Sequence, residues 1–169
     1  MFNFRSATFA KLTKKLQRAN NEMQHVMKHA ADKRAAISSG EWEAMTAGAM
    51  GVHNIYNDIE DILMTIAKDV DGSVPDGPSF HQDILDQMAT DIPDLRHALF
   101  SDEQHQVLTE LKNFRHLVRH RYGIELIGKL VLKNIEMIEK AFPEFVDSLF
   151  SLEAEITADH NPHDSPDFS

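Results

Sequence analysis

The chain has no cysteine in its 169 residues. Disulfides, thiolate nucleophiles and cysteine metal clusters are therefore excluded, and a reducing cytosol is the expected compartment. Long uncharged apolar runs are missing as well, so no stretch is expected to span a membrane. The N-terminus "MFNFRSATFAKL" lacks the basic start and apolar stretch of a signal peptide. Proline is absent from the first 70 residues, and glycine is scarce there. Positive charge is in short supply: 17 Lys and Arg stand against 27 Asp and Glu, a formal net charge of −10. That balance argues against non-specific nucleic-acid binding over the whole surface, but it leaves room for a local basic site. No P-loop, no G-x-G-x-x-G and no nucleotidyltransferase Gly-Ser motif with paired aspartates occurs, so the chain is not expected to transfer nucleotides itself.

What the sequence has is helical rhythm. Leu12, Leu16, Ala19, Met23, Val26 and Ala30 recur at spacings of three and four, one face of a helix. Ser38 with Glu41 reads as a capping box opening the next helix. There Trp42, Met45, Ala49, Val52, Tyr56, Ile59, Leu63, Ile66 and Val70 carry the stripe onward. Two long amphipathic helices joined by a short turn must lie antiparallel. The glycines and prolines of "DGSVPDGPS", residues 71–79, mark a loop. Ser79 with Gln82 starts a short helix, "DIPDL" breaks the chain again, and Ser101 with Gln104 caps a fourth helix. Gly123 suits the left-handed position past a helix end. A last helix carries Ile127, Val131, Ile135, Ile138, Phe142, Phe145, Leu149, Leu152 and Ile156, with Pro143 expected to kink or interrupt it. The expectation is an all-α, up-and-down bundle of four to five helices in one domain, residues 1–157. Residues 158–169, polar and proline-bearing, read as a disordered tail.

One segment runs against the acidic whole. Between Lys112 and Tyr122 lie Lys112, Arg115, Arg119 and Arg121 with His116 and His120, and no acid. On a wheel of about 100° per residue, Val107, Leu111, Phe114 and Val118 define the core stripe. Arg115 and Tyr122 fall near one edge of it, Arg119 further out, and His116 and His120 face away from the core. Arg121 points back toward the core, which suggests that the helix is ending. The positive face is thus expected to look outward, to solvent or a partner chain. Cations in a last helical turn complement the macrodipole, worth only about 0.3–1 kcal/mol. That demand is smaller than this crowd of donors. The functional alternative is an anionic site, in which arginine offers phosphate a permanent charge and a matched fork of donors. Histidine titrates near neutrality and can act as general acid or base. Together they are a minimal set for metal-free RNA cleavage, in which the ribose 2′-OH attacks the adjacent phosphorus. One helix supplies only one such Arg–His set, and a second copy across a two-fold axis would complete it.

Arg115, His120 and Tyr122 form the pattern R-x4-H-x-Y, which resembles the motif of HepT-type ribonuclease toxins of the HEPN superfamily. The similarity extends through "NIYNDIEDILMTIAKDVDGSVPDGPSFHQDILDQMA" and "LKNFRHLVRHRYGIEL", roughly residues 10–150. The resemblance implies a dimeric helical bundle in which two motifs meet in one cleft and cut RNA without metal or cofactor. By position, Arg115 and His120 would be the catalytic pair, with Lys112, His116, Arg119 and Arg121 supporting or binding RNA. His116 departs from the Asn most often found after the arginine. Tyr122 holds the position that a cognate MNT-type nucleotidyltransferase antitoxin modifies with AMP. The partners implied are therefore RNA, that antitoxin and a second copy of the chain, with no membrane.

Other features read more plainly. His25 and His29 are spaced to share a metal but have no third ligand nearby, and His160 and His163 in the tail are no better placed. Asp58, Glu60 and Asp61 read as a solvated helix face, or else as a surface for a basic partner. Met23, Met27, Met45 and Met50 follow core spacing. Two rivals to the nuclease remain. One is a non-catalytic nucleotide- or partner-binding subunit of a two-component nucleotidyltransferase. The other is a bundle that only oligomerises, its basic patch answering Asp58 and Asp61 of a neighbour.

Overall fold

A computed structural model of the protein describes residues 2–120 and 126–159. Arg121, Tyr122, Gly123, His160, His163 and nearly all of the expected tail lie outside the described residues. Among the described residues there is no strand, and the all-α expectation holds. A single turn, α1 (Ala7–Ala10), comes first, with the Ser6 hydroxyl accepting the Phe9 N–H at 3.3 Å. Nothing in the periodicity announces it. The hairpin follows as α2 (Thr13–Ser39) and α3 (Trp42–Ile66). Its turn is made by Gly40, φ 84°, whose N–H reaches the carbonyls of Ala36 and Ile37. The Ser38–Glu41 capping box does not form: Ser38 lies inside α2, and Glu41 is an N-cap without a side-chain bond. Glycine takes the left-handed position at no steric cost, so α2 runs on to meet it. Within α2, Lys33 departs from helical dihedrals (φ −123°, ψ 16°), a break the sequence did not signal.

Helix α3 is the centre of the bundle. Fourteen of its 25 residues are buried, against five of 27 in α2. It packs against α2 and against three helices still to come: α4 (Phe80–Met88), α5 (Asp102–His120) and α6 (Gly128–Asp159). A π-type turn, Ala67–Asp71, ends it, closed by Gly72 at φ 70°. Trp42 does not join the core but is 71% exposed, because it precedes the first buried pair, Ala44 and Met45. Met23 and Met45 are buried, but Met27 and Met50 are each 37% exposed at the margin of the stripe. Ala30 and Val70 are only partly buried.

The loop of residues 71–79 lies where expected. Ser79 precedes α4, but its hydroxyl donates to the Asp83 carboxylate at 2.7 Å instead of capping the backbone with Gln82. The "DIPDL" break is held by Ile92 and Arg96, paired in an isolated bridge around Asp94 at φ 64°. The Ser101–Gln104 box forms in both directions, at 2.9 and 3.2 Å, and opens α5. Helix α6 runs unbroken through Pro143, which does not interrupt it. Phe142 and Phe145 are buried on either side. Such side chains contribute about 1.5–3 kcal/mol each, enough together to offset a mid-helix proline of about 3 kcal/mol. Ile127, expected in the core, is 64% exposed, since α6 begins one residue later. A Cβ at Gly128 would stand 1.9 Å from the Ile37 carbonyl oxygen, so the start of α6 rests on the backbone of α2. The buried Glu153 carboxylate accepts the backbone N–H groups of Arg5 and Ser6, tying the N-terminal segment to α6. Buried side chains from Phe9 to Leu152 form one contiguous core. Among the described residues no helix is long and apolar enough to cross a membrane.

Candidate active site

The motif helix is α5, and its buried residues are Leu108, Leu111, Phe114 and Arg115. Val107 and Val118 are only partly buried, so the core stripe is rotated from the expected one by roughly one residue at its start. The rotation carries Arg115 inward. It is 7% exposed, inside the core stripe and not at its edge as expected, so it is not part of the outward positive face. The inward turn is possible because α3 and α4 offer polar partners there. Arg115 Nε–H donates to Asn57 Oδ1 at 2.6 Å, and Arg115 Nη1 lies 3.4 Å from His81 Nε2. His81 Nδ1 is in turn 2.7 Å from Glu60 Oε2. One tautomer satisfies both contacts: with its proton on Nδ1, His81 donates to Glu60 and accepts from Arg115. Asn57 Nδ2 donates to His53 Nδ1 at 3.2 Å. Among the described residues no carboxylate touches Arg115.

Beside this hydrogen-bonded chain stands Tyr56, whose hydroxyl is buried without a hydrogen-bond partner among the described residues. Burial first, then the negative charge of Glu60, pushes its ionisation well above the usual phenol range, while the Arg115 cation pulls the other way.

His116 and His120 are exposed, one helical turn apart, with rings stacked at 4.1 Å between centroids and 29° between planes. His120 Nδ1–H donates to the His116 carbonyl at 3.0 Å, so its Nε2 is the nitrogen available for chemistry. The His116 pKa is lowered, first by the positive charge of His120, then by desolvation and by Arg115, His81 and Lys112. These five groups therefore share one electrostatic neighbourhood. Lys112 Nζ donates to Gln82 Oε1, so the first turn of α4 grips α5 at two points, through His81 and Gln82. Arg119 is exposed.

The structure thus gathers Lys112, Arg115, His116 and His120, and adds Asn57, Glu60 and His81, which the sequence reading missed. Glu60 could have been found: it stands four residues after Tyr56 and three before Leu63, inside the apolar stripe. His81 carried no such signal. The acidic cluster is a solvated face only at Asp61. Asp58 and Glu60 are buried, and Asp58 accepts from Arg18 Nε at 2.8 Å. Asp61 pairs with Lys15 at 2.8 Å. Both acids proposed for an oligomer contact thus already have partners within the chain. His29 Nε2 lies 2.7 Å from the Ala44 carbonyl, which makes it a link across the α2–α3 hairpin.

No curated protein and no solved structure matches the chain. A family model described as HepT-like protein matches residues 47–156, a span that holds all of α4 and α5, most of α3 and α6, and every residue of the site just described. That span is more than half of the chain, and the chain belongs to the HepT-like family of the HEPN superfamily.

Proposed function

We propose that the protein is a metal-independent endoribonuclease toxin, acting as a homodimer in which two copies of Arg115 and His120 share one cleft. Residues 1–157 would form the single working domain. The observation that carries this reading is the pairing of an underused cation with a free imidazole nitrogen. Arg115 gives one N–H to neutral Asn57 and one to His81, and its other donors have no acceptor among the described residues. His120 holds its Nδ1–H on the helix backbone, which leaves Nε2 without a partner among the described residues.

In the proposed reaction, His120 Nε2 takes the proton of the ribose 2′-OH, and the 2′-oxygen attacks phosphorus. The P–O5′ bond breaks, and His120 of the second copy, in its protonated form, gives a proton to the departing 5′-oxygen. Arg115 stabilises the charge that builds on the phosphoryl oxygens in between. Lys112, His116 and Arg119, with Arg121, would guide the RNA strand through local positive potential on an otherwise acidic surface. Tyr122, two residues beyond His120, would be the off-switch. AMP attached there by an MNT-type antitoxin places bulk and negative charge where RNA phosphate must lie.

The test is incubation of the purified protein with defined single-stranded RNA in EDTA, beside Arg115→Ala and His120→Ala. Cleavage by the wild type and its loss in both variants are expected. Equal cleavage by all three would sink the assignment. The enclosure of Arg115 within its own protomer favours a second reading, a non-catalytic nucleotide-binding subunit of a two-component nucleotidyltransferase. In that case unmodified protein would bind nucleotide through Arg115 and cut nothing.

A further inference from the structure

The contacts of Arg115 have a direction. Glu60 is a buried carboxylate on the central helix, and no arginine or lysine answers it among the described residues; its partner is His81 Nδ1 at 2.7 Å. That bond decides which nitrogen of His81 carries the proton. With Nδ1–H committed to Glu60, Nε2 presents a lone pair, and it presents it to Arg115 Nη1 at 3.4 Å. The Phe80 ring lies 3.8 Å from the His81 ring, centroid to centroid, and limits its rotation. On the other edge of the guanidinium, Asn57 Oδ1 takes Nε–H at 2.6 Å, and Asn57 is itself steadied by His53. The guanidinium is thus held on two edges by neutral acceptors. Its positive charge is left uncancelled, and its remaining donors have no acceptor among the described residues. A direct Glu60–Arg115 pair would have been simpler, but it would have spent the charge. The interposed imidazole orients the arginine without neutralising it.

We infer that Glu60, His81 and Asn57 are positioning residues for Arg115, with the Glu60–His81 pair fixing an imidazole tautomer that aims a still-charged guanidinium at phosphate. The inference deepens the nuclease reading and rests on it for the ligand class. The orientation of Arg115 itself can be tested apart from that reading.

The test has two arms, run on full-length wild type, His81→Phe, His81→Gln and Glu60→Leu. The first follows the Arg115 Nε–H resonance by NMR, assigned by its absence in Arg115→Lys. The second measures kcat and KM for metal-free RNA cleavage. Phenylalanine keeps the ring and its stacking but accepts no hydrogen bond. Glutamine restores an acceptor near the position of Nε2. Leucine at residue 60 frees His81 to carry its proton on Nε2, against the arginine. The resonance should shift and exchange faster in His81→Phe and Glu60→Leu, and return most of the way in His81→Gln. In the same two variants kcat should fall by roughly 10- to 100-fold with KM nearly unchanged, as misplacement of a catalytic group predicts. An unmoved resonance with wild-type kcat in His81→Phe and Glu60→Leu would overturn the inference. So would equal losses in His81→Gln and His81→Phe that simply track a lowered melting temperature. Should the wild type cut no RNA, the nuclease reading falls and the resonance alone decides: a shift in His81→Phe and Glu60→Leu upholds the positioning role, and no shift rejects it.

Discussion

Arg96 and Arg115 are both buried, 4% and 7% exposed, and they are held in opposite ways. Arg96 is saturated. Its Nε and Nη2 meet the two oxygens of buried Asp71 at 2.6 and 2.7 Å. Its other N–H groups reach the carbonyls of Thr90, His97 and Gln87 at 3.0 to 3.1 Å. All five donors are used and the charge is cancelled. That arginine staples the π-type turn after α3 to the end of α4 and the break before α5. Arg115 has two neutral partners and no carboxylate among the described residues. A saturated guanidinium has nothing left to offer a ligand. One held by neutral groups keeps both its charge and its donors. The difference separates an arginine whose donors are all used within the fold from one whose charge and donors are left over.

The largest expected effect is on the staple. Arg96→Met leaves the buried Asp71 carboxylate with no counter-charge and only the Gln87 amide as partner, and should lower unfolding free energy by about 3–5 kcal/mol in urea titrations followed by circular dichroism. Adding Asp71→Leu should recover most of that loss, because an apolar pair can replace a buried ion pair at little cost. Arg115→Met should behave differently, costing only about 1 kcal/mol, the net worth of one or two hydrogen bonds, while cleavage is lost. A loss as large as that of Arg96→Met would erase the distinction between the two sites. Inorganic phosphate sharpens the contrast. It should raise the melting temperature of the wild type through binding to the folded state, and leave that of Arg115→Met unmoved. The smallest effect is electrostatic. His120→Ala should move the His116 midpoint upward, toward 6.5, as seen by NMR titration, because His120 is the first cause of its lowering. A histidine whose folded pKa lies below its unfolded value binds fewer protons folded than unfolded. Its contribution is therefore lost as pH falls from 6.5 toward the folded value, and that slope should shrink in His120→Ala.

Much of this contrast could not be read from the sequence, and the reason is physical. Helical periodicity is local, so α2, α3, α5 and α6 were legible from spacing alone. The Ser101–Gln104 cap was legible because both of its bonds lie within four residues. Ser38–Glu41 and Ser79–Gln82 have the same pattern, yet Gly40 and Asp83 offered better local partners. Arg115, His116 and His120 were found because they crowd six consecutive positions of one helix. What turned Arg115 inward lies on other helices: Asn57 on α3 and His81 on α4, 58 and 34 positions away. No window along the chain joins them. Arg96 was missed for the same cause, with its aspartate 25 residues upstream.

Trp42 is the chain's one tryptophan, and it stands 71% exposed at the start of α3. Its emission in the folded protein is therefore already that of an indole in water. Unfolding the bundle would barely change its colour. Anything that covers the turn between α2 and α3, whether an antitoxin or a second copy of the chain, would shift it to the blue. The protein carries a built-in fluorophore that is deaf to folding and tuned to docking at that end.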